Sequence, residues 1–229
     1  MQVKVLSWNI WVDGRFEECK ALLNRVDADV IGLQEVQDND AERDVIGFLT
    51  TLGYRHVFAM TEHTRGGKTY RIGPALFTRL PLVNSGTFLV NDSDPRAVAW
   101  MDIEMNGKIA HVFNTHLVHT HQKESSAQEG EAVRLIEKLP TENTIVIGDF
   151  NATPESAVIR RMNEVLVNTD PSLSPTWSVY REGCHTCNPQ AVLIRLDYIF
   201  ASKDLKTNSP AVEDSKGSDH LPISVVVEV

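Results

Sequence analysis

Hydrophobic and polar positions along the chain switch between two periods. Val3-Lys4-Val5-Leu6-Ser7-Trp8-Asn9 reads as a first β-strand, whereas Phe16, Cys19, Leu22, Leu23 and Val26 recur at the spacing of an α-helix over 16–26. Asp29-Val30-Ile31-Gly32-Leu33-Gln34-Glu35 is an apolar run ending in polar residues, as a buried strand does, and a helix over 44–52 is stopped by Gly53. Strands are expected over 54–60, 75–78, 87–90, 97–105 and 108–115. Asn106-Gly107 between the last two is a hairpin signal, because both residues accept positive φ. A helix over 125–139 ends at Pro140, a strand over 144–147 follows, and a helix over 154–166 carries Pro154 in its first turn. Closing strands are expected over 195–201 and 221–229. The stretch 168–190 holds three prolines and little periodicity, which suits a binding loop. Helices between runs of mostly antiparallel strands predict an α/β or α+β sandwich, with one domain over 1–229.

The polar residues of chemical interest share a place in this pattern: they sit at strand ends. Asn9 follows Val5-Leu6-Ser7-Trp8, and Glu35 follows Val30-Ile31-Gly32-Leu33. Asn114 and His116 follow Ile109–Phe113, Asp149 and Asn151 follow Ile145–Gly148, and Asp219-His220 precedes the last strand. Each has an ordinary reading alone. Asn after a strand forms turns, Glu there is solvated, and the Asp or Asn of Gly-Asp-Phe-Asn can bond its own backbone. Together they outline one rim on which several rigid strand ends can converge.

Composition narrows the partners. Of 229 residues, 42% are hydrophobic and 23% charged, enough for a packed core. No apolar run reaches the roughly 18–20 residues needed to span a bilayer. Residues 1–10 show no secretory pattern, so the expectation is a cytoplasmic protein, working as a monomer. The net charge of −9 argues against a stable complex with long nucleic acid, which is driven by Lys and Arg displacing counterions. It fits a carboxylate-rich pocket whose charge a cation offsets. Three cysteines are too few for a disulfide framework. Cys184-His185-Thr186-Cys187 has knuckle spacing, but a closed zinc site needs four ligands and no second CxxC or HxxxH pair follows it. Loop thiols, a local disulfide and a metal or redox role all stay open for this pair. His111, His116, His119 and His121 form a histidine-rich stretch; His111 and His116, five apart, face opposite sides of one strand, and His119 and His121 read as loop residues near a pocket mouth.

Six short motifs occur in order: Trp8-Asn9-Ile10, Leu33-Gln34-Glu35-Val36, Asn114-Thr115-His116-Leu117, Gly148-Asp149-Phe150-Asn151, Leu196-Asp197-Tyr198-Ile199-Phe200 and Ser218-Asp219-His220-Leu221-Pro222. In this the chain resembles the endonuclease/exonuclease/phosphatase superfamily, over positions 8 to 222. The resemblance implies a four-layer sandwich: two mostly antiparallel sheets packed face to face, with helices on both outer sides. It also implies hydrolysis of a phosphodiester or phosphomonoester by activated water, with Mg²⁺ or Mn²⁺ as cofactor.

The same resemblance distributes roles. Glu35 would be the principal metal ligand, with Asn9 close to metal or phosphate and Asp219 at the metal or its water shell. Asp149 would activate or orient the attacking water, and Asn151 would hold that water or a phosphate oxygen. His220 would contact the scissile phosphate, with Asp197 fixing its tautomer. His116 would stabilise charge on the phosphate, supported by Asn114. The general base is open between Asp149 and His220. Tyr70 either reaches the phosphate or packs, and Pro74 stands where the family commonly has Asn. Arg65-Gly66-Gly67-Lys68 is either an extra phosphate contact or a solvated hairpin tip. A nucleic-acid end, a phospholipid headgroup and a small phosphorylated metabolite all remain open as substrate. The competing readings are a non-catalytic module retaining the fold and a zinc-binding module built on Cys184, Cys187 and the histidines.

Overall fold

The computed structural model describes residues 1–65 and 67–228, apart from the side chains of residues 65 and 68. The chain begins with β1 (Gln2–Asn9), α1 (Phe16–Val26), β2 (Val30–Gln37), α2 (Val45–Thr51), β3 (Arg55–Phe58), β4 (Thr61–Arg65) and β5 (Lys68–Thr78). It continues through β6 (Leu82–Asn91), β7 (Arg96–Met105), β8 (Lys108–His116), α3 (Ser126–Ile136), β9 (Thr144–Asp149) and α4 (Ala157–Val165). It closes with β10 (Val167–Asn168), β11 (Asp197–Ala201), β12 (Lys206–Val212) and β13 (Ile223–Glu228).

One sheet has the order β12-β13-β1-β2-β5-β3, with β4 also paired to β5; the other has the order β10-β11-β9-β8-β7-β6. Neighbours are antiparallel except β1/β2 and β8/β9. Parallel neighbours need a crossover, and α1 and α3 lie within these two connections. Strand side chains alternate between faces, so a strand with both faces buried reads as a continuous apolar run. In β1, Val3 and Val5 enter the core between the sheets, while Leu6 and Trp8 pack outward against Leu22 and Leu23 of α1. In β9, Ile145 and Ile147 point inward, while Val146 packs outward with Ala132 of α3 and Met162 of α4. The result is the expected order of helix, sheet, sheet, helix. No helix among the described residues is long and apolar enough to cross a membrane.

Several expected boundaries move, each for a local reason. Asp44, Ser125 and Ser156 are not helical. Their side chains accept from the N–H groups of Gly47, Gln128 and Ile159 and so cap the helices that follow. Pro154 therefore lies ahead of α4 rather than in its first turn. The strand expected over 75–78 begins at residue 68 and pairs with β4, which the sequence pattern did not reveal. β12 was also missed. It is a polar edge strand interrupted by Pro210 at a register shift, and such features blunt exposed edges while erasing the apolar signal. The basic stretch 65–68 links β4 to β5, with residues 65 and 68 in register. Its expected phosphate contact lies outside the described residues.

The two sheets pack closely beside β2. A Cβ on Gly32 would fall 2.2 Å from Ile147 Cδ1, so only glycine lets β9 approach there. Next to it, Asn114 of β8 is fully buried. Its amide nitrogen donates to Leu33 O at 2.9 Å and Ala75 O at 2.8 Å, and its oxygen accepts from Gln34 Nε2 at 2.7 Å. These bonds fall where the β2–β5 ladder slips register between Leu33 and Val36. A buried polar group left without a partner costs about 1–3 kcal/mol. Asn114→Ala takes its donor from Leu33 O and Ala75 O, whereas Gln34 Nε2 keeps Ser7 Oγ and Gly32 O, so unfolding in urea should show a loss of about 2 kcal/mol or more with an unchanged slope. A loss below about 1 kcal/mol would mean that Asn114 does not hold the slip.

Candidate active site

The ends of the central strands open on one cleft of about 1020 Å³. Asn9 ends β1, His116 ends β8, Asp149 ends β9 and Asp197 begins β11. Asp219 and His220 lie just before β13. Glu35 reaches the cleft differently. It sits in the slipped part of β2 with φ of 60°, a left-handed conformation uncommon for a non-glycine residue, and the slip re-aims its side chain.

Hydrogen bonds lock these groups into one array. Asn9 Nδ2 donates to Asp149 Oδ2 at 3.0 Å and to Glu35 Oε1 at 3.2 Å, while Asn9 Oδ1 accepts from Trp11 N–H. Glu35 Oε2 accepts from Val12 N–H at 2.8 Å. Asp149 Oδ1 accepts from Asn151 N–H at 2.8 Å, and Asp149 Oδ2 stands 3.4 Å from His116 Nε2 and 3.6 Å from His220 Nε2. His220 Nδ1 meets Asp197 Oδ2 at 2.9 Å, so the carboxylate holds the proton on Nδ1. Ser218 Oγ donates to Asn9 O and accepts from His220 N–H, which fastens the last loop to β1. Asp219 Oδ2 accepts from Trp177 Nε1 at 3.0 Å.

Burial makes these charges interdependent. Desolvation pushes the Asp149 carboxyl up to about 7, against the pull of His220 and the hydrogen bonds from Asn9 and Asn151. Desolvation raises Glu35 as well, and the neighbouring Asp219 charge raises it further. Desolvation likewise raises Asp219. His220 is also penalised by burial, but Asp197, Asp149 and Asp219 outweigh that and hold its imidazole well above the usual range. His116 goes the other way: burial, then the charges of Arg96 and His220, keep it neutral. Two desolvated carboxylates beside the Asn9 amide form an oxygen-rich donor set with excess negative charge. Glu35 and Asp219, with Asn9 between Glu35 and Asp149, therefore fit a hard divalent cation.

The structure brings Asn9, Glu35, His116, Asp149, Asn151, Asp219 and His220 to the cleft wall, and Tyr70 of β5 lines the same cleft. Asp197 stands one layer behind, through His220. Asn114 is a correction: it supports no imidazole and reaches no substrate, because all its bonds run into the joint between the sheets. Sequence reasoning missed Arg96 and Trp177, which also line the cleft. Arg96 opens β7 after Pro95, a strand-end position like the others. Trp177 belongs to the irregular stretch 168–190, which the buried Arg195–Asp170 ion pair, 2.5 Å, ties to β11. Cys184 and Cys187 are joined as a local disulfide on the same stretch.

The profile of the Endonuclease/Exonuclease/phosphatase family matches residues 6–220. No curated protein matches by sequence. Among solved structures, an endonuclease/exonuclease/phosphatase from Beutenbergia cavernae superposes with a TM-score of 0.82 at 18% identity, over 100% of this chain and 72% of that one. A mannosyl-6-phosphatase from Bacteroides thetaiotaomicron superposes at 0.76 with 19% identity, over 99% and 100% of the chains. ANGEL2, a 2′,3′-cyclic phosphatase in complex with adenosine-2′,3′-vanadate, superposes at 0.73 with 18% identity, over 99% and 95%.

The His220 arrangement has a measurable consequence in metal-free protein. A histidine whose folded pKa is raised adds stability that is complete below its unfolded value, about 6.5, and is lost as pH rises through the folded value. His220 should stay protonated through neutral pH by imidazole NMR, and Asp197→Asn should move its titration down. If both proteins titrate alike, Asp197 does not hold the charge.

Proposed function

The chain belongs to the endonuclease/exonuclease/phosphatase family and is a phosphoester hydrolase of that kind; on that premise we propose a divalent-metal-dependent enzyme that cleaves a small or locally presented phosphoester by in-line attack of water. The observation that carries this reading is the Asn9–Glu35–Asp149–His220–Asp197 array, in which the buried Asp149, His220 and Asp197 and the half-buried Glu35 are joined by named contacts at one end of a cleft.

Glu35 and Asp219, with Asn9 beside them, would hold Mg²⁺ or Mn²⁺, whose chemistry there is to neutralise charge on the phosphoryl oxygens. Asp149 is the group suited to take the proton of the attacking water. Its carboxyl is poised at about 7, where a base is both available and strong enough. Asn151, fixed through its N–H to Asp149, would orient that water or a phosphate oxygen. His220 carries its proton on the Asp197 side and is held charged, so it serves as donor and electrostatic partner to the phosphate rather than as base. His116, kept neutral by burial, would add a hydrogen bond.

Charge supports the substrate class. Among the described lining residues Arg96 is the one Lys or Arg, alongside Asp13, Glu35, Asp149, Glu182 and Asp219. A single guanidinium and a cation suit one phosphate group, and a long polyanion would meet too few positive charges. The neighbours named as a mannosyl-6-phosphatase and a 2′,3′-cyclic phosphatase fit this reading. Intact carboxylates and imidazole argue against a module that kept only the fold.

Assays against bis-p-nitrophenyl phosphate, a monoester, short RNA and nicked DNA should show activity with Mg²⁺ or Mn²⁺ and none in EDTA. Glu35→Gln and His220→Ala should each lower kcat by about 10²–10⁴-fold. Activity that survives EDTA, or wild-type rates in both variants, would overturn the mechanism. Arg96→Ala should cost about 10- to 100-fold in kcat/KM, as expected for a lost charged hydrogen bond to phosphate. A higher rate on long duplex DNA than on short substrates would defeat the substrate class.

A further inference from the structure

A second group of metal-ligating side chains lies at the cleft mouth, built from residues the phosphoester chemistry does not use. Cys184 and Cys187 come from the stretch 168–190, and His119 and His121 come from the connection between β8 and α3. One ligand atom from each of the four lies within 4.8 Å of all the others. His119 Nε2 is 3.1 Å from His121 Nδ1, and His121 Nδ1 is 3.3 Å from Cys187 Sγ and 3.6 Å from Cys184 Sγ. His119 Nε2 is 3.8 Å from Cys187 Sγ. Zinc bonds of ~2.3 Å to sulfur and ~2.0–2.1 Å to nitrogen, set tetrahedrally, separate the ligand atoms by roughly 3.3–3.8 Å. These four separations, of the five that involve a nitrogen, agree with that spacing to within a few tenths of an ångström.

The local backbone also suits a thiolate. Cys187 N–H donates to Cys184 Sγ at 2.9 Å, and a donor on sulfur stabilises its charged form, the form that binds metal. The sequence showed the Cys184/Cys187 pair and a separate histidine-rich stretch, with no second CxxC or HxxxH pair to complete a site. The missing half is His-x-His, brought across the cleft mouth by the fold.

We propose that His119, His121, Cys184 and Cys187 form a structural Cys₂His₂ zinc site when the cysteines are reduced, separate from the oxygen-lined cation site at Glu35. The disulfide is the alternative state of the same two sulfurs. A dithiol reductant converts it to two thiols and is itself oxidised to its cyclic disulfide. Zn²⁺ then displaces both thiol protons to water, and two thiolates and two neutral imidazoles complete its coordination. All four ligands come from protein, so the ion has no open position for catalysis. Its role is to fasten the 117–125 connection to the 168–190 stretch. His119 is a good relay for this, because its ring packs edge-on against Trp177 at 6.2 Å.

The test uses full-length protein reduced with a dithiol, desalted without chelator and kept in excess Mg²⁺ to occupy the oxygen-lined site. Titration with Co²⁺ should give a sulfur-to-cobalt charge-transfer band and strong visible bands of tetrahedral cobalt, saturating at one equivalent and displaced by one equivalent of Zn²⁺. Cys187→Ser and His121→Ala should each weaken metal binding at least about 10- to 100-fold, whereas Glu35→Gln should leave the cobalt spectrum unchanged. Wild-type protein with free thiols but no charge-transfer band overturns the proposal whatever the variants do. So does a cobalt spectrum lost in Glu35→Gln but kept in Cys187→Ser. Neither result bears on phosphoesterase activity, which is read separately.

Discussion

The bond on which the rest of the structure turns is the one between Asn114 and the slipped segment of β2. Sheet faces pack as alternating rows of apolar side chains, and a polar group among them is costly unless its donors and acceptors are met. Asn114 meets that condition by donating to two carbonyls of the opposite sheet and accepting from Gln34. The slip it secures gives Glu35 its left-handed backbone and turns its carboxylate toward Asn9 and the cleft. One buried amide thus joins the packing of the two sheets to the placement of the metal-ligand candidate. Gly32 acts in the same place by letting β9, which carries Asp149, come close.

Beyond that joint the active-site end is organised by charges that burial makes expensive. Asp149, Asp197, Asp219 and His220 are all nearly inaccessible, and each is held by a fixed partner or by another charge. Burial alone would favour the neutral forms of Asp149, Asp219 and His220. The array divides them instead, with the imidazole held charged by three carboxylates and one carboxylate brought near neutral pH. A carboxylate brought near neutral pH beside an imidazole held protonated is a means by which one pocket holds both a proton acceptor and a proton donor.

The stretch 168–190 is irregular in sequence but firmly held. Arg195 fixes its start through Asp170, Trp177 presents its N–H to Asp219, and its far end brings Cys184 and Cys187 to the two histidines. It closes one wall of the cleft and anchors at both sides. A long connection without secondary structure is costly unless such contacts repay its ordering.

The sequence by itself determined the main elements and the rim. Continuous apolar runs such as Val30–Leu33 and Ile145–Ile147 require cover on both faces, which a single sheet between helices would also give; the two-sheet, four-layer order is what the resemblance of the six motifs implied. Polar residues at the ends of such runs, from Asn9 to His220, fall on one edge because strands in a sheet share their ends. Only the tertiary structure decided which of these residues work together. Asn114 and His116 are two apart on one strand and so lie on the same face, yet one is sealed between the sheets and the other meets Asp149. Arg96 and Trp177 carry no periodic signal, and β12 hides its strand character behind edge polarity. The four-ligand set at the cleft mouth joins residues more than sixty positions apart. Local pattern fixes which way a side chain points relative to its own strand, whereas its partner is fixed by how separate strands and loops pack, and no short window of sequence contains that distance.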